Sequence, residues 1–175
     1  MRLRLLSTAA AVASLGMIGT LGVRAGGDLV KYPEGFDKGV LYTTVDRADN
    51  KQYRELYINK EASDAAKAGK PLPSGTVITL VAYKAKLDDK GDPVKDANGR
   101  FVNSGELVAV NVMEKRDGWG TEYPVELRNG EWEYQSFTPA KAVNAKANLK
   151  ACFECHKPLD KDDYLFTIKQ IKGGK

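Results

Sequence analysis

Short blocks of alternating and apolar residues run along the chain, separated by Gly- and Pro-rich turns, and none is long enough for a helical bundle. Residues 26–40 contain Gly26-Gly27 and Tyr32-Pro33-Glu34-Gly35-Phe36 and read as an entry loop. Residues 41–45 alternate weakly and residues 53–58 more clearly, which predicts two strands. Residues 60–69 are rich in Ala, Glu, Asp and Lys and stop at Gly69 before Pro71, the pattern of a short helix. The turn Pro71-Leu72-Pro73-Ser74-Gly75 leads into residues 76–85, where Val77, Ile78, Leu80, Val81 and Tyr83 predict a strand.

The second half continues in the same way. Residues 88–99 are polar, contain Asp92-Pro93 and Asn98-Gly99, and join two strands, the next being residues 107–114. After a turn at Gly118-Trp119-Gly120, residues 122–127 and 131–137 flank Arg128-Asn129-Gly130, and the Asn-Gly pair predicts a hairpin. Residues 141–155 read as a helix ended by Pro158, and residues 164–168 as a return to the sheet. The expected fold is therefore α+β: a mostly antiparallel β-sheet with short flanking helices, the last of them carrying the motif described below. No internal repeat is present.

Composition adds bounds. With 175 residues, 42% hydrophobic and 29% charged, the chain suits one globular domain and is not disordered, fibrous or polytopic. The net charge of +4 loses its meaning once the basic residues are located. Residues 1–25 begin with Arg2 and Arg4, continue as an apolar, small-residue run and end in Val23-Arg24-Ala25, the pattern of a secretory signal peptide. A retained membrane anchor competes with that reading, though Ser, Thr and Gly dilute the run. Cleavage after Ala25 removes three arginines and leaves a domain of residues 26–175 with 24 basic and 23 acidic side chains. No cluster of Lys and Arg interleaved with aromatics remains, so neither nucleic acid nor an anionic membrane is indicated as a partner.

Both cysteines and the single histidine fall in Cys152-Phe153-Glu154-Cys155-His156, the attachment signature of haem c. Two thiols three residues apart can add to the two vinyl groups of one haem, and the next side chain, His156, then serves as the iron's proximal ligand. Three other readings use the same residues. A Cys152–Cys155 disulfide is compatible with export but leaves the adjacent histidine unexplained. A zinc site would need carboxylates to complete it, and a thioredoxin-like redox pair would need a βαβ setting. Covalent haem attachment requires an oxidising compartment after export, which agrees with the signal peptide and points to a periplasm.

A sixth iron ligand is scarce. Met113 is the only methionine outside residues 1–25, and it lies in an apolar run that reads as a core strand. The expected iron is therefore open or weakly ligated on its distal side, which suits binding or reacting with a small ligand. Electron transfer survives only if Met113 or a lysine ligates the iron. Asn111 takes an inward polar position on the same strand, where an amide cannot act as a base. Phe36, Phe101, Phe137, Tyr83, Trp119 and Trp132 are candidates for an aromatic pocket wall or for core packing.

Tyr57-Ile58, Gly75-Thr76-Val77, Asn129-Gly130-Glu131-Trp132, the stretch from Cys152 to Pro158 and Leu165-Phe166-Thr167 occur here in an order that resembles the cytochrome P-460 family and its relative cytochrome c-prime-beta. The resemblance implies one haem on a mostly antiparallel sheet, a proximal histidine at His156 and a homodimer. In the P-460 branch it implies a lysine cross-linked to haem, for which Lys67 is the candidate, with hydroxylamine or nitric oxide oxidoreductase activity and a redox partner cytochrome. In the c-prime-beta branch it implies no cross-link and a non-catalytic site for nitric oxide or carbon monoxide.

Overall fold

The structure, a computed structural model, describes residues 29–174. The segment read as a signal peptide, residues 1–25, lies outside them. Five strands form one sheet in chain order: β1 (Val40–Arg47), β2 (Gln52–Ile58), β3 (Thr76–Ala85), β4 (Asn103–Lys115) and β5 (Trp132–Phe137). Every neighbouring pair is antiparallel, so the expected α+β architecture holds. The polar segment joining β3 to β4 is held by Asp88 and Asp96, whose Oδ1 atoms accept from the backbone N–H groups of Lys90, Asp92, Asn98 and Arg100. The aspartates close two tight turns, and the bridges Leu87–Pro93 and Lys95–Phe101 pair the backbone between them.

The pleat sorts the strands into two faces. On one face, Ile58, Ile78, Met113 and Tyr134 stand opposite one another across four strands, and Leu56, Leu80, Asn111 and Ser136 form the next row. Helices α1 (Lys60–Lys67), α2 (Leu149–His156) and α3 (Ile168–Ile171) belong to this side, where Ala62, Ala66, Phe153, Leu165 and Ile171 join Ile58, Ile78 and Trp132 in a buried core. The other face packs Val81, Val110, Val112 and Phe137 against Val30 and the aromatic rings of the entry loop. In α1 the buried residues are Ala62, Ser63 and Ala66, spaced for one helical stripe. Asn59, just before it, accepts from the N–H of Val77 through Oδ1 and so ties the helix start to β3.

Three expected elements differ. Residues 122–127 form no strand, only a 3-10 turn at Val125–Leu127. Pro124 lacks a ladder donor, and Arg128 Nη2 occupies the carbonyls of Thr121 and Tyr123. The Asn-Gly signal still marks a turn, with Gly130 at φ +59° and the N–H of Trp132 donating to the carbonyl of Asn129 at 3.1 Å.

The helix expected over residues 141–155 starts only at Leu149. Before it, Asn144 Oδ1 accepts from Lys146 N, and Asn148 Oδ1 accepts from Ala151 N as an N-cap; asparagines that bond their own backbone compete with a longer helix. Residues 164–168 do not rejoin the sheet. Asp163 and Tyr164 both take positive φ, +52° and +61°, and turn the chain into α3, which packs against β1 and α1.

Candidate functional site

A cavity of about 460 Å³ lies between α2 and the first of the two sheet faces. That volume falls within the ~300–1,000 Å³ of pockets that enclose cofactors. Its helix side is formed by Cys152, Cys155 and His156 together with Leu165, Phe166 and Thr167. Its sheet side is mainly apolar, with Leu56, Ile78, Leu80 and Met113, interrupted by Asn111, Gln135, Arg47 and Arg54. Among the described residues, no lysine, aspartate or glutamate lines the cavity.

His156 is held by geometry that suits a metal ligand. Its Nδ1 lies 2.6 Å from the carbonyl oxygen of Tyr164. A carbonyl only accepts, so Nδ1 carries the proton and Nε2 keeps its lone pair free. The left-handed turn at Asp163 and Tyr164 is what brings that carbonyl to the ring. Burial lowers the imidazole's pKa, an effect partly opposed by the Tyr164 bond, so the neutral ligating form prevails at neutral pH. Tyr134 and Phe166 flank the ring at 5.3 and 5.0 Å between centroids.

The two thiols stand at i and i+3 of α2 and share one helix face. Cys152 is half-buried, with its pKa raised by burial, and Cys155 is exposed. Between them Phe153 points into the core, 1% exposed, its ring against Tyr134 at 4.6 Å and Tyr123 at 5.5 Å. Asn129, buried at the turn before β5, donates through Nδ2 to the carbonyl of Phe153 and to the Tyr134 hydroxyl. The segment that begins at the Asn-Gly turn thus anchors the helix bearing the pentapeptide.

Cys152, Cys155 and His156 are brought together as the motif requires; Lys67 is not. It is the last residue of α1, exposed, and outside the cavity lining, as is Lys70. Met113 and Asn111 both line the cavity as their alternation on β4 implies. The six aromatics considered as a pocket wall lie elsewhere. Phe36, Phe137, Tyr83 and Trp119 serve the opposite face and Trp132 the helix-side core, while Phe101 is buried outside the lining. The cavity aromatics are Tyr42, Tyr134 and Phe166, with the Tyr42 hydroxyl 2.9 Å from that of Thr167.

The competing readings of the pentapeptide find no support. Both thiols are free, and among the described residues no group of three or more His, Cys, Asp or Glu could hold a metal ion. The antiparallel sheet offers no βαβ unit for a redox pair. A haem fits what is present: two thiols and a neutral imidazole on one wall of a largely apolar cavity.

Behind the site, Glu133 is fully buried, accepts from the Tyr123 hydroxyl at 3.0 Å through Oε2, and leaves Oε1 unpartnered. Burial pushes its pKa up to about 7. The folded chain therefore holds a proton that the unfolded chain, near 4.5, releases. The stability tied to this proton is complete below about pH 4.5 and is lost as pH rises through 7. The melting temperature of Glu133→Gln is expected to exceed that of the unmodified chain by a margin that grows from pH 5 to pH 8. A margin that stays flat over that range would contradict the assignment.

The fold and site together define a class, a β-sheet protein with a histidine-bearing cofactor cavity under the helix α2. The family model for cytochrome P-460 matches residues 33–167, and the chain belongs to that family. It is accordingly a haem cytochrome of that kind. The chain is also similar to the probable histone-arginine methyltransferase 1.4 of Arabidopsis thaliana, 30% identical over 100 residues, which is 57% of this chain and 18% of that protein. It thus spans less than a fifth of that relative's length, and no activity is carried over from it.

Proposed function

We propose that the protein is an exported, periplasmic cytochrome carrying one haem c, and that it binds nitric oxide or carbon monoxide without turning over hydroxylamine. Cys152 and Cys155 would hold the haem through two thioether bonds, and His156 Nε2 would ligate its iron. Bound in this way, the haem supplies a distal coordination position for a neutral diatomic molecule.

The observation that carries the reading is the cavity lining. Oxidising hydroxylamine requires a group that accepts protons. Among the described residues the lining has no carboxylate and no lysine, and the Tyr42 and Thr167 hydroxyls are hydrogen-bonded to each other. The apolar residues Leu56, Ile78 and Leu80 line the sheet side opposite the pentapeptide, which suits a neutral diatomic ligand, and Tyr164 fixes the imidazole.

The haem-loaded, dithionite-reduced protein is expected to give a high-spin ferrous spectrum that shifts on addition of carbon monoxide or nitric oxide, with no hydroxylamine-dependent reduction of an artificial acceptor. Sustained hydroxylamine turnover would overturn the binding reading in favour of an oxidoreductase. Met113 in the lining keeps electron transfer as a second reading; a six-coordinate low-spin spectrum that disappears in Met113→Ala would establish it.

A further inference from the structure

The cavity's cationic end is not explained by binding neutral diatomics. Arg54 and Arg47 line it, with no acidic residue in the lining among the described residues. Arg47 is already neutralised, paired with Asp49 outside the cavity at 2.6 Å. Arg54 is half-buried and donates through Nε and Nη2 to the neutral amide oxygen of Gln52, at 3.0 and 2.7 Å. A guanidinium carries five N–H donors, so this contact orients the fork without using it up. Burial and the neighbouring Arg47 both press Arg54 toward losing its proton, the same desolvation that strengthens its pull on an incoming anion.

Position supports a ligand role. Arg54 pairs with Ala82 on β3, and Asn111 pairs with Leu80, so the guanidinium and the amide rise from adjacent rows of the cavity face. Both present N–H donors. We propose that Arg54, with Asn111, makes this cavity a receptor for small monovalent anions that carry acceptor atoms, the class of nitrite and azide. This ligand class extends the proposed function and rests on its reading of a haem with an open distal side.

One competitor for Arg54 is a haem propionate. Arg54 shares the cavity lining with Cys155, and the pH dependence of the reduction potential separates a propionate contact from an anion site.

The experiment is an absorbance titration of the ferric, haem-loaded protein with azide, nitrite and neutral imidazole, in the unmodified chain and in Arg54→Gln, Arg54→Lys and Arg47→Gln. Haem content and the ferrous carbon monoxide band are measured first on the same samples. The azide-to-imidazole affinity ratio is expected to fall about tenfold in Arg54→Gln, the size of one lost charge-assisted hydrogen bond. Arg54→Lys restores most of it, and Arg47→Gln changes it less than twofold. Equal weakening of azide and imidazole, or an unchanged ratio, overturns the inference while the diatomic-binding reading stands. A ratio that holds while the pH dependence of the reduction potential moves assigns Arg54 to a propionate instead. Absence of haem or of the carbon monoxide band overturns the reading beneath it as well.

Discussion

His156→Ala is expected to leave a protein that keeps its fold and its two thiols but binds carbon monoxide in the ferrous state at least about a hundredfold more weakly. Changes to groups that merely orient a metal's ligand already cost ~10–100-fold, and this substitution removes the ligand itself. No other histidine exists in the chain to replace it. The imidazole makes one hydrogen bond, to the Tyr164 carbonyl, and two ring contacts, so the sheet does not depend on it. Added imidazole should enter the vacated space and restore much of the ferrous spectrum. An unchanged carbon monoxide affinity would move the proximal role to another residue and undo the site as described.

The second large effect falls on stability. Phe153→Ala empties a site that is 1% exposed and walled by the rings of Tyr123 and Tyr134. Truncating a buried phenylalanine costs about 3–5 kcal/mol, a large part of the ~5–15 kcal/mol that holds a domain together. The loss has a local consequence, because Phe153 is the residue by which α2 is pinned to the sheet. Haem incorporation should fall with it even though both cysteines remain. Phe153→Leu, which keeps most of the apolar volume, should lose much less. Urea unfolding of the haem-free chains separates the two, and a cost below about 1 kcal/mol for the alanine variant would contradict the packing.

Much of this was legible in the sequence for identifiable reasons. Alternation is local, so 76–85 and 107–114 announced β3 and the centre of β4, and their phase placed Asn111 and Met113 on the cavity face. The pentapeptide is local too, and α2 presents its two cysteines and histidine to one cavity. What depended on long-range geometry was not legible. The Asn-Gly pair signalled a turn, but only tertiary structure shows Asn129 reaching Phe153, 24 positions away. Apolar residues 165 and 168 satisfy a strand pattern and a helical turn equally well, and two consecutive left-handed residues decided between them. Arg54 alternates in register with Leu56 and Ile58, which was the available signal that it faces the same side as the site. Lys67 rests on the family resemblance, and the order of segments along a chain does not fix which face of α1 a residue takes.

If the proposed site is right, one haem is bound covalently by Cys152 and Cys155 alone, with Lys67 left unmodified. Intact-mass spectrometry of the purified protein, followed by peptide mapping, is the direct test. The expected result is the mass of the chain from residue 26 plus one haem, with all of the haem on the peptide containing Cys152 to His156. A haem-free mass, or haem also joined to a peptide containing Lys67, would contradict the account.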